Sequence, residues 1–308
     1  PSAGEPGVVR FASIGSGSDG NGTLIANGSE GTVLLDCGFS GRETVARLQA
    51  RGLSTDDLAG ILVTHEHSDH IKGVARLANR YRLPVYTTWG TYSARLNGEL
   101  DESLLNLIEP GTAFTLAGMQ IEPVPVPHDA REPCQFVFAT ASARLGLLTD
   151  AGTINRQMVA SYQGCDALML ECNHDLRMLA EGPYPAQLKR RVAGALGHLN
   201  NQQAADMLRQ VGHDGLQHLI VTHISQTNNT PELAVQALLN VSPQVAGIIQ
   251  VAGQKSGLDW CDINRQWNSA KPVPPRQLEH EGTEPDALHD SPYPDVQRFF
   301  HPGRGYIR

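Results

Sequence analysis

The chain has 308 residues, of which 40% are apolar and 18% charged, a composition that excludes disordered and fibrous classes and leaves ample chain for a large core. Its 24 Lys and Arg against 32 Asp and Glu give a formal net charge of −8. That balance excludes a general nucleic-acid coat, which must neutralise phosphates with basic side chains, but not an enzyme that binds nucleic acid through metals and a local basic patch.

No apolar run approaches the roughly 18 residues of a membrane span, and no basic stretch leads into an apolar one near the start. Neither a membrane anchor nor a secretory leader is therefore expected. Five cysteines (Cys37, Cys134, Cys165, Cys172 and Cys261) form an odd set without repeated spacing. They fit buried free thiols in a reducing compartment, so a cytoplasmic location is expected.

In chain order, β-type runs are expected at 8–14, 23–26, 32–36, 61–64, 85–88, 121–126, 136–140, 145–149, 167–170, 219–222 and 245–251. Apolar residues at three- and four-residue spacing predict helices at 42–50, 71–80, 154–162, 186–196, 202–210 and 232–239. Thr230-Pro231-Glu232 supplies an N-cap and a first-turn proline for the last of these. Early strands cluster and later ones alternate with helices, which fits an α/β protein with helix-covered sheets rather than a doubly wound parallel sheet. From Asn264 the composition shifts: the last 45 residues hold seven of the nineteen prolines and balanced charges. The expected organisation is an N-terminal tail over 1–7, a single domain over 8–263, and an irregular Pro-rich extension over 264–308.

The twelve histidines are the unusual count, and their placement points to metal. The apolar run ending at Thr64 leads into His65-Glu-His67-Ser-Asp69-His70, three imidazoles and a carboxylate within six positions. An amphipathic helix carrying Ile71, Val74, Leu77 and Ala78 inward begins near Asp69. His65 and His67, two apart on an extended turn, point to one side, and Asp69 and His70 at the helix start aim nearby. Imidazole with carboxylate suits Zn²⁺, Mn²⁺ or Fe²⁺. Four such residues do not close two sites, so partners are expected at strand ends downstream. His128 follows Val124-Pro-Val-Pro, Asp150 follows Leu147-Leu-Thr, and His223 follows Leu219-Ile-Val-Thr.

With these residues the chain resembles the metallo-β-lactamase superfamily, whose successive ligand motifs match His65-x-His67-x-Asp69-His70, His128, Asp150 and His223 in order. Within it, the chain is similar to small bacterial WalJ/YycJ-type hydrolases at Ser16-Gly-Ser-Asp-Gly-Asn-Gly, Leu34-Leu-Asp-Cys-Gly, Glu171-Cys-Asn-His-Asp175, Gly197-His-Leu-Asn-Asn201 and Thr227-Asn-Asn-Thr-Pro-Glu232. The likeness covers about residues 8–262. It implies an α/β fold, the four-layer αββα sandwich, with two divalent metal ions (Zn²⁺ or Mn²⁺, with Fe²⁺ also suited) at one edge of the sheets. By this resemblance His65, His67 and His128 hold one ion, Asp69, His70 and His223 the other, and Asp150 bridges them. Asp36 would orient the metal-binding loop.

Two ions about 3.5–4 Å apart generate hydroxide from a shared water near pH 7 and polarise phosphoryl or carbonyl oxygens, so the ligands alone do not choose the substrate. Phosphodiester cleavage expels an alkoxide and gains from a general acid. In phosphodiesterase branches of the superfamily a histidine oriented by a strand-end acid serves there, and His198 and Glu171 match those places. Catalysis is accordingly assigned to Asp69, His198 and Glu171. The same resemblance sets Ser16 and Asn21, in the glycine-rich loop, as substrate contacts. Asn200, at the start of the helix after His198, is positioned for phosphate. His174 either contacts substrate or caps the turn before Asp175. Lys189-Arg190-Arg191 is either a solvated helix face or a backbone-phosphate contact.

The expected activity is that of a dinuclear phosphodiester hydrolase with a metal-bound hydroxide nucleophile, acting on nucleic acid as a DNA exonuclease. Only 72 residues separate Asp150 from His223, so the large inserted domain of RNA-processing members is absent; it is the resemblance to the WalJ/YycJ-type family that implies an exonuclease and puts DNA ahead of RNA. The alternatives are a small-molecule hydrolase of the same fold (cyclic phosphodiester, lactone or thioester) and a metal-binding regulatory protein without turnover. No protein partner is readable.

Overall fold

Residues of β1 (Val9–Gly15), β2 (Gly22–Asn27) and β3 (Thr32–Leu35) alternate between two buried clusters: Val9, Phe11, Ile25, Val33 and Leu35 join one, and Ile14, Leu24 and Leu34 the other. A sheet apolar on both faces must be covered on both. The computed structural model describes residues 8–264. The tail expected over 1–7 and the extension expected over 264–308, Asn264 apart, lie outside the described residues.

The first sheet continues through β4 (Leu58–Leu62), β5 (Val85–Thr87) and β6 (Leu105–Leu107). The chain then crosses to a second sheet built from β7 (Phe114–Leu116), β8 (Met119–Pro125), β9 (Cys134–Ala139), β10 (Arg144–Leu148), β11 (Ala167–Glu171), β12 (His218–Thr222) and β13 (Ile249–Val251). It returns with β14 (Leu258–Ile263) to the free edge of β1. The strand orders are β14-β1-β2-β3-β4-β5-β6 and β13-β12-β11-β10-β9-β8-β7. Each sheet is antiparallel in one half and parallel in the other, along β3 to β6 and β10 to β13.

The helices are α1 (Gly41–Ala50), α2 (Ser68–Ile71), α3 (Val74–Tyr81), the short α4 (Trp89–Thr91), α5 (Arg156–Tyr162), α6 (Leu176–Glu181), α7 (Ala186–Val192), α8 (Asn201–Val211) and α9 (Pro231–Val241). Phe11, Val33 and Leu62 from the first sheet meet Phe136, Leu145, Met169 and Ile220 from the second in the inter-sheet core. Leu48 of α1 and Leu77 of α3 cover the outer face of the first sheet. Tyr162 of α5, Leu208 of α8 and Leu238 of α9 cover that of the second. The four layers are therefore α, β, β and α, as the resemblance implied.

Sequence patterning missed β6, β7, β14, α6 and the short α4, and among the elements it did find it overran two in particular. The run expected as a strand over 245–251 divides into a 3-10 turn, Pro243–Gly247, and the short β13, because a proline at the turn's start fixes φ and lacks a donor for a ladder. The helix expected to reach 196 ends at Val192. Gly197 then packs so closely that a Cβ there would collide with the carbonyls of Arg191 and Val192. All five cysteines are free and buried, and burial pushes the Cys37 and Cys165 thiols up to about 12. Among the described residues no helix is long and apolar enough to cross a membrane.

Candidate metal centre

In a parallel half-sheet the strands share a direction, and ligand sites form beyond their carboxyl ends. Both parallel halves follow this rule toward one point. Asp36 follows β3, His65 lies three residues past β4, Asp150 two past β10, Glu171 ends β11 and His223 follows β12. From the antiparallel half, β8 delivers His128.

The structure brings the residues singled out in the sequence into overlapping groups. Donor atoms of His65, His67 and His128 lie within 4.8 Å of one another, as do those of Asp69, His70 and His223. Asp150 stands between the groups, with Oδ2 at 3.1 Å from His70 Nε2 and Oδ1 at 2.9 Å from His223 Nδ1.

Hydrogen bonds engage Nδ1 of three of the histidines. Asp36 accepts the Thr64 main-chain N–H at 2.9 Å, the Thr64 hydroxyl at 2.9 Å, and His70 Nδ1–H at 2.7 Å. The Thr64 hydroxyl, having donated to Asp36, accepts from His65 Nδ1 at 2.9 Å. His128 Nδ1 donates to the Gly197 carbonyl at 2.9 Å. In all three rings Nδ1 is engaged in this way, which leaves Nε2 as the nitrogen turned toward the centre, the one a metal ligand would present.

Three observations test whether this donor set fits divalent cations. His65 Nε2 and Asp150 Oδ2 are buried without a hydrogen-bond partner, and such atoms are costly unless something coordinates them. His223 Nδ1 sits close to Asp150 yet out of line for a hydrogen bond. The charges also call for cations: burial opposes protonation of His70 and His223, yet the carboxylates of Asp150, Asp36 and Asp69 around His70 and of Asp150 beside His223 push both pKa values well above the usual imidazole range. His65 lies the other way, held well below by burial and by the neighbouring His70. Oxygen and imidazole donors of this kind suit Zn²⁺ or Mn²⁺, so the residues fit the ions the resemblance implied.

Glu171, fully buried, also lies within ligand reach of Asp150, His198 and His223, but its lone pairs are already committed. Oε2 accepts the N–H of Ala151 at 3.0 Å and of Leu199 at 3.2 Å, and Oε1 accepts His198 Nδ1 at 2.7 Å. His198 therefore turns Nε2 outward, and its ring is 5.2 Å from those of both His128 and His223. Burial opposes its protonation, but Glu171 and then Asp150 raise its pKa.

The residues expected to touch substrate are placed differently from one another. Ser16 is buried and its Oγ accepts the His223 main-chain N–H at 2.9 Å. Asn21 is buried, with its amide nitrogen 3.3 Å from Asp69 Oδ2 and 3.0 Å from His70 Nε2. Ser16 thus holds His223, and Asn21 holds Asp69 and His70. Gly38 makes this possible, since a Cβ there would strike the Asp69 carbonyl, to which Asn21 N–H donates at 2.7 Å. Asn200 caps α8 in a reciprocal box with Gln203. The His174 ring is fully buried, neither nitrogen has a hydrogen-bond partner, and burial pushes its pKa down to about 4. The cap before α6 is Asp175 instead.

Thr64 went unassigned in the sequence although Val-Thr-His recurs before His65 and His223, and that repetition was the available signal. Asp129 was also passed over. Its Oδ1 lies 3.6 Å from Nε2 of both His67 and His128, and its Oδ2 meets Arg191 Nε.

Residues 31–224 match the model of the beta-lactamase superfamily domain. The chain is 37% identical over 235 residues to "Exodeoxyribonuclease YycJ" of Bacillus anthracis, covering 76% of this chain and 89% of that protein. It is 34% identical over 236 residues to "Exodeoxyribonuclease WalJ" of Streptococcus pneumoniae, covering 75% and 87%. Among solved structures, the metallo-beta-lactamase fold protein YhfI of Bacillus subtilis superposes with a TM-score of 0.65 at 17% identity, over 83% of this chain and 99% of that one.

Proposed function

The chain belongs to the metallo-β-lactamase superfamily, in its WalJ/YycJ-type branch, and from that premise we propose that residues 8–263 form a cytoplasmic, dinuclear metal-dependent phosphodiesterase that digests DNA from a strand end. His65, His67 and His128 would hold one ion, Asp69, His70 and His223 the other, and Asp150 would be shared. When bound, two such ions polarise a phosphoryl oxygen and lower the pKa of a water so that hydroxide is available near pH 7.

The chain's own residues do the rest. Asp36 and Thr64 fix the tautomers of His65 and His70, and the Gly197 carbonyl fixes that of His128. Asn21 and Ser16 hold Asp69 and His223 in place. His198, with Nδ1 occupied by Glu171, presents Nε2–H between the two clusters and gives its proton to the leaving oxygen. Glu171 keeps the ring turned and favours its protonated form.

The observation that carries a phosphodiester reading is this pair at the rim of the ligand set, a buried Glu171 against a half-buried His198, because expelling an alkoxide gains from a proton donor. The names of the two relatives favour DNA as the polymer. Metal analysis of the purified chain with a substrate panel tests the proposal. The panel is single- and double-stranded DNA, RNA, bis-p-nitrophenyl phosphate, a lactone and nitrocefin. End-directed DNA cleavage is expected with Zn²⁺ or Mn²⁺; turnover confined to the lactone and nitrocefin would refute it.

A further inference from the structure

The basic run Lys189-Arg190-Arg191 at the end of α7 does not act as a uniform face. Lys189 Nζ donates to the Ala180 carbonyl at 2.6 Å, within its own helical hairpin. Arg191 instead reaches the metal centre. Its Nε meets Asp129 Oδ2, while the other oxygen of that carboxylate is 3.6 Å from Nε2 of both His67 and His128. One carboxylate therefore spans the gap between the guanidinium and two residues of the ligand set.

Two further facts bear on its use. The Arg191 side chain is 58% exposed and that of Asp129 28%, so water meets both, and an exposed pair of this kind adds little to folding. The main chain of Arg191 and Val192 is nonetheless fixed to the site, since His198 N–H donates to the Val192 carbonyl at 2.9 Å and Gly197 packs against both carbonyls. The guanidinium thus stands on a rigid base at the mouth of the centre, beside Asp129, the carboxylate outside the proposed ligand set that an incoming polyanion would otherwise meet.

We propose that Arg191 forms a phosphate subsite beside the metal centre, releasing Asp129 to grip the backbone phosphate next to the scissile one when a DNA strand enters. The inference rests on the DNA phosphodiesterase reading. Asp129 meets the guanidinium through Oδ2 alone, whereas a phosphodiester offers two free oxygens to the planar fork, so the incoming phosphate can gain a contact that the carboxylate does not make. No bond is made or broken; one oxyanion replaces another.

The test uses the full chain loaded with metal, and its variants R191A and R191K. The probe is a fluorescein-labelled, single-stranded phosphorothioate oligothymidylate of about ten nucleotides, followed by anisotropy across a potassium chloride series. R191A is expected to bind about tenfold more weakly, with the slope of log K against log salt reduced in size by about 0.7, one phosphate contact on a single strand. R191K should keep the wild-type slope with intermediate affinity, because it retains the charge without the fork. In turnover, KM for DNA should rise at least fivefold more than KM for bis-p-nitrophenyl phosphate, which has no neighbouring phosphate. Equal slopes and affinities for wild type and R191A overturn the inference alone. So does a loss of metal from R191A with equal damage on both substrates, which would make Arg191 a support for the imidazoles. A wild-type protein that neither binds nor cuts DNA overturns the reading of the substrate, and the subsite with it.

Discussion

Glu171 and His198 are expected to behave as one unit, which a double-mutant cycle measures. Glu171 is fully buried and its oxygens are divided, with Oε1 on His198 at 2.7 Å and Oε2 on two main-chain N–H groups at 3.0 and 3.2 Å. In E171Q the remaining oxygen should stay with the two main-chain donors, because each buried N–H left unpaired costs about 1–3 kcal/mol. The new amide nitrogen then faces His198 Nδ1–H, donor toward donor, and the ring must turn or lose its proton. What is lost is one charge-assisted hydrogen bond, about 1.5–3 kcal/mol, or roughly ten- to 150-fold in kcat. H198A removes the proton donor itself, about 10²- to 10⁴-fold. If Glu171 acts only through His198, adding E171Q to H198A costs nothing further, and the coupling equals the whole E171Q loss. The assay is kcat for bis-p-nitrophenyl phosphate, with metal content measured by mass spectrometry and expected to be unchanged in all three variants. Full additivity would refute the reasoning. It would send Glu171's influence through His223, whose Nδ1 is 3.5 Å away.

Four other outcomes follow from the same geometry. D36N keeps a residue type that tolerates the positive φ of 61° but places an amide donor among three donors, so metal affinity should fall about 10- to 100-fold in a chelator competition; unchanged affinity would count against the oriented His70. D150A should lose both ions, and retention of two per chain would show that Asp150 is not shared. S16A removes the acceptor of the His223 main-chain N–H and should lower unfolding free energy by about 1–3 kcal/mol in a denaturant titration, with no change there if water replaces the hydroxyl. Chelation should lower the melting temperature: each ion held at about 100 times its Kd contributes about 2.7 kcal/mol, or about 5–11 °C per ion for a domain of this size, and identical calorimetric scans with and without chelator would contradict tight binding.

How far the sequence discloses the molecule depends on the range of the forces involved. Strands such as β4, β10, β11 and β12 announce themselves because both faces are buried, which forces short continuous apolar runs. By contrast, β6 has three residues, all only partly buried, and β7 has three with an exposed threonine at the centre, so neither carries a pattern long enough to register. β14 alternates buried Leu258 and Cys261 with exposed Asp259 and Asp262, and gains its place only by pairing with β1 across the whole chain. The same divide runs through the site. Histidines and aspartates at strand ends are local signals. The reach of Arg191 to Asp129 across 62 positions exists only once the second half of the chain has folded, and that of Ser16 to His223 across 207 only once the two sheets are packed.

Backbone strain marks the boundary between what the strands fix and what the site demands. Among the described residues five other than glycine have positive φ, and three of them are Asp36, Asp150 and His223, at 61°, 53° and 50°. Each sits just past a strand of a parallel half-sheet, where continuing in extended geometry would carry the side chain past the centre. A left-handed residue costs on the order of 1–3 kcal/mol and persists only where surroundings over-determine it. Here they do: Asp36 is pinned by Thr64 and His70, and His223 by the Ser16 hydroxyl on its N–H. Asp150 is followed by Ala151, whose N–H is held by Glu171. The carboxylate that turns His198 thus also secures the turn that aims Asp150, so the proposed proton donor and the proposed shared ligand are placed by one buried group. That coupling gives a physical reason for Glu171 to stay a carboxylate, since a neutral replacement must give up the ring or the turn.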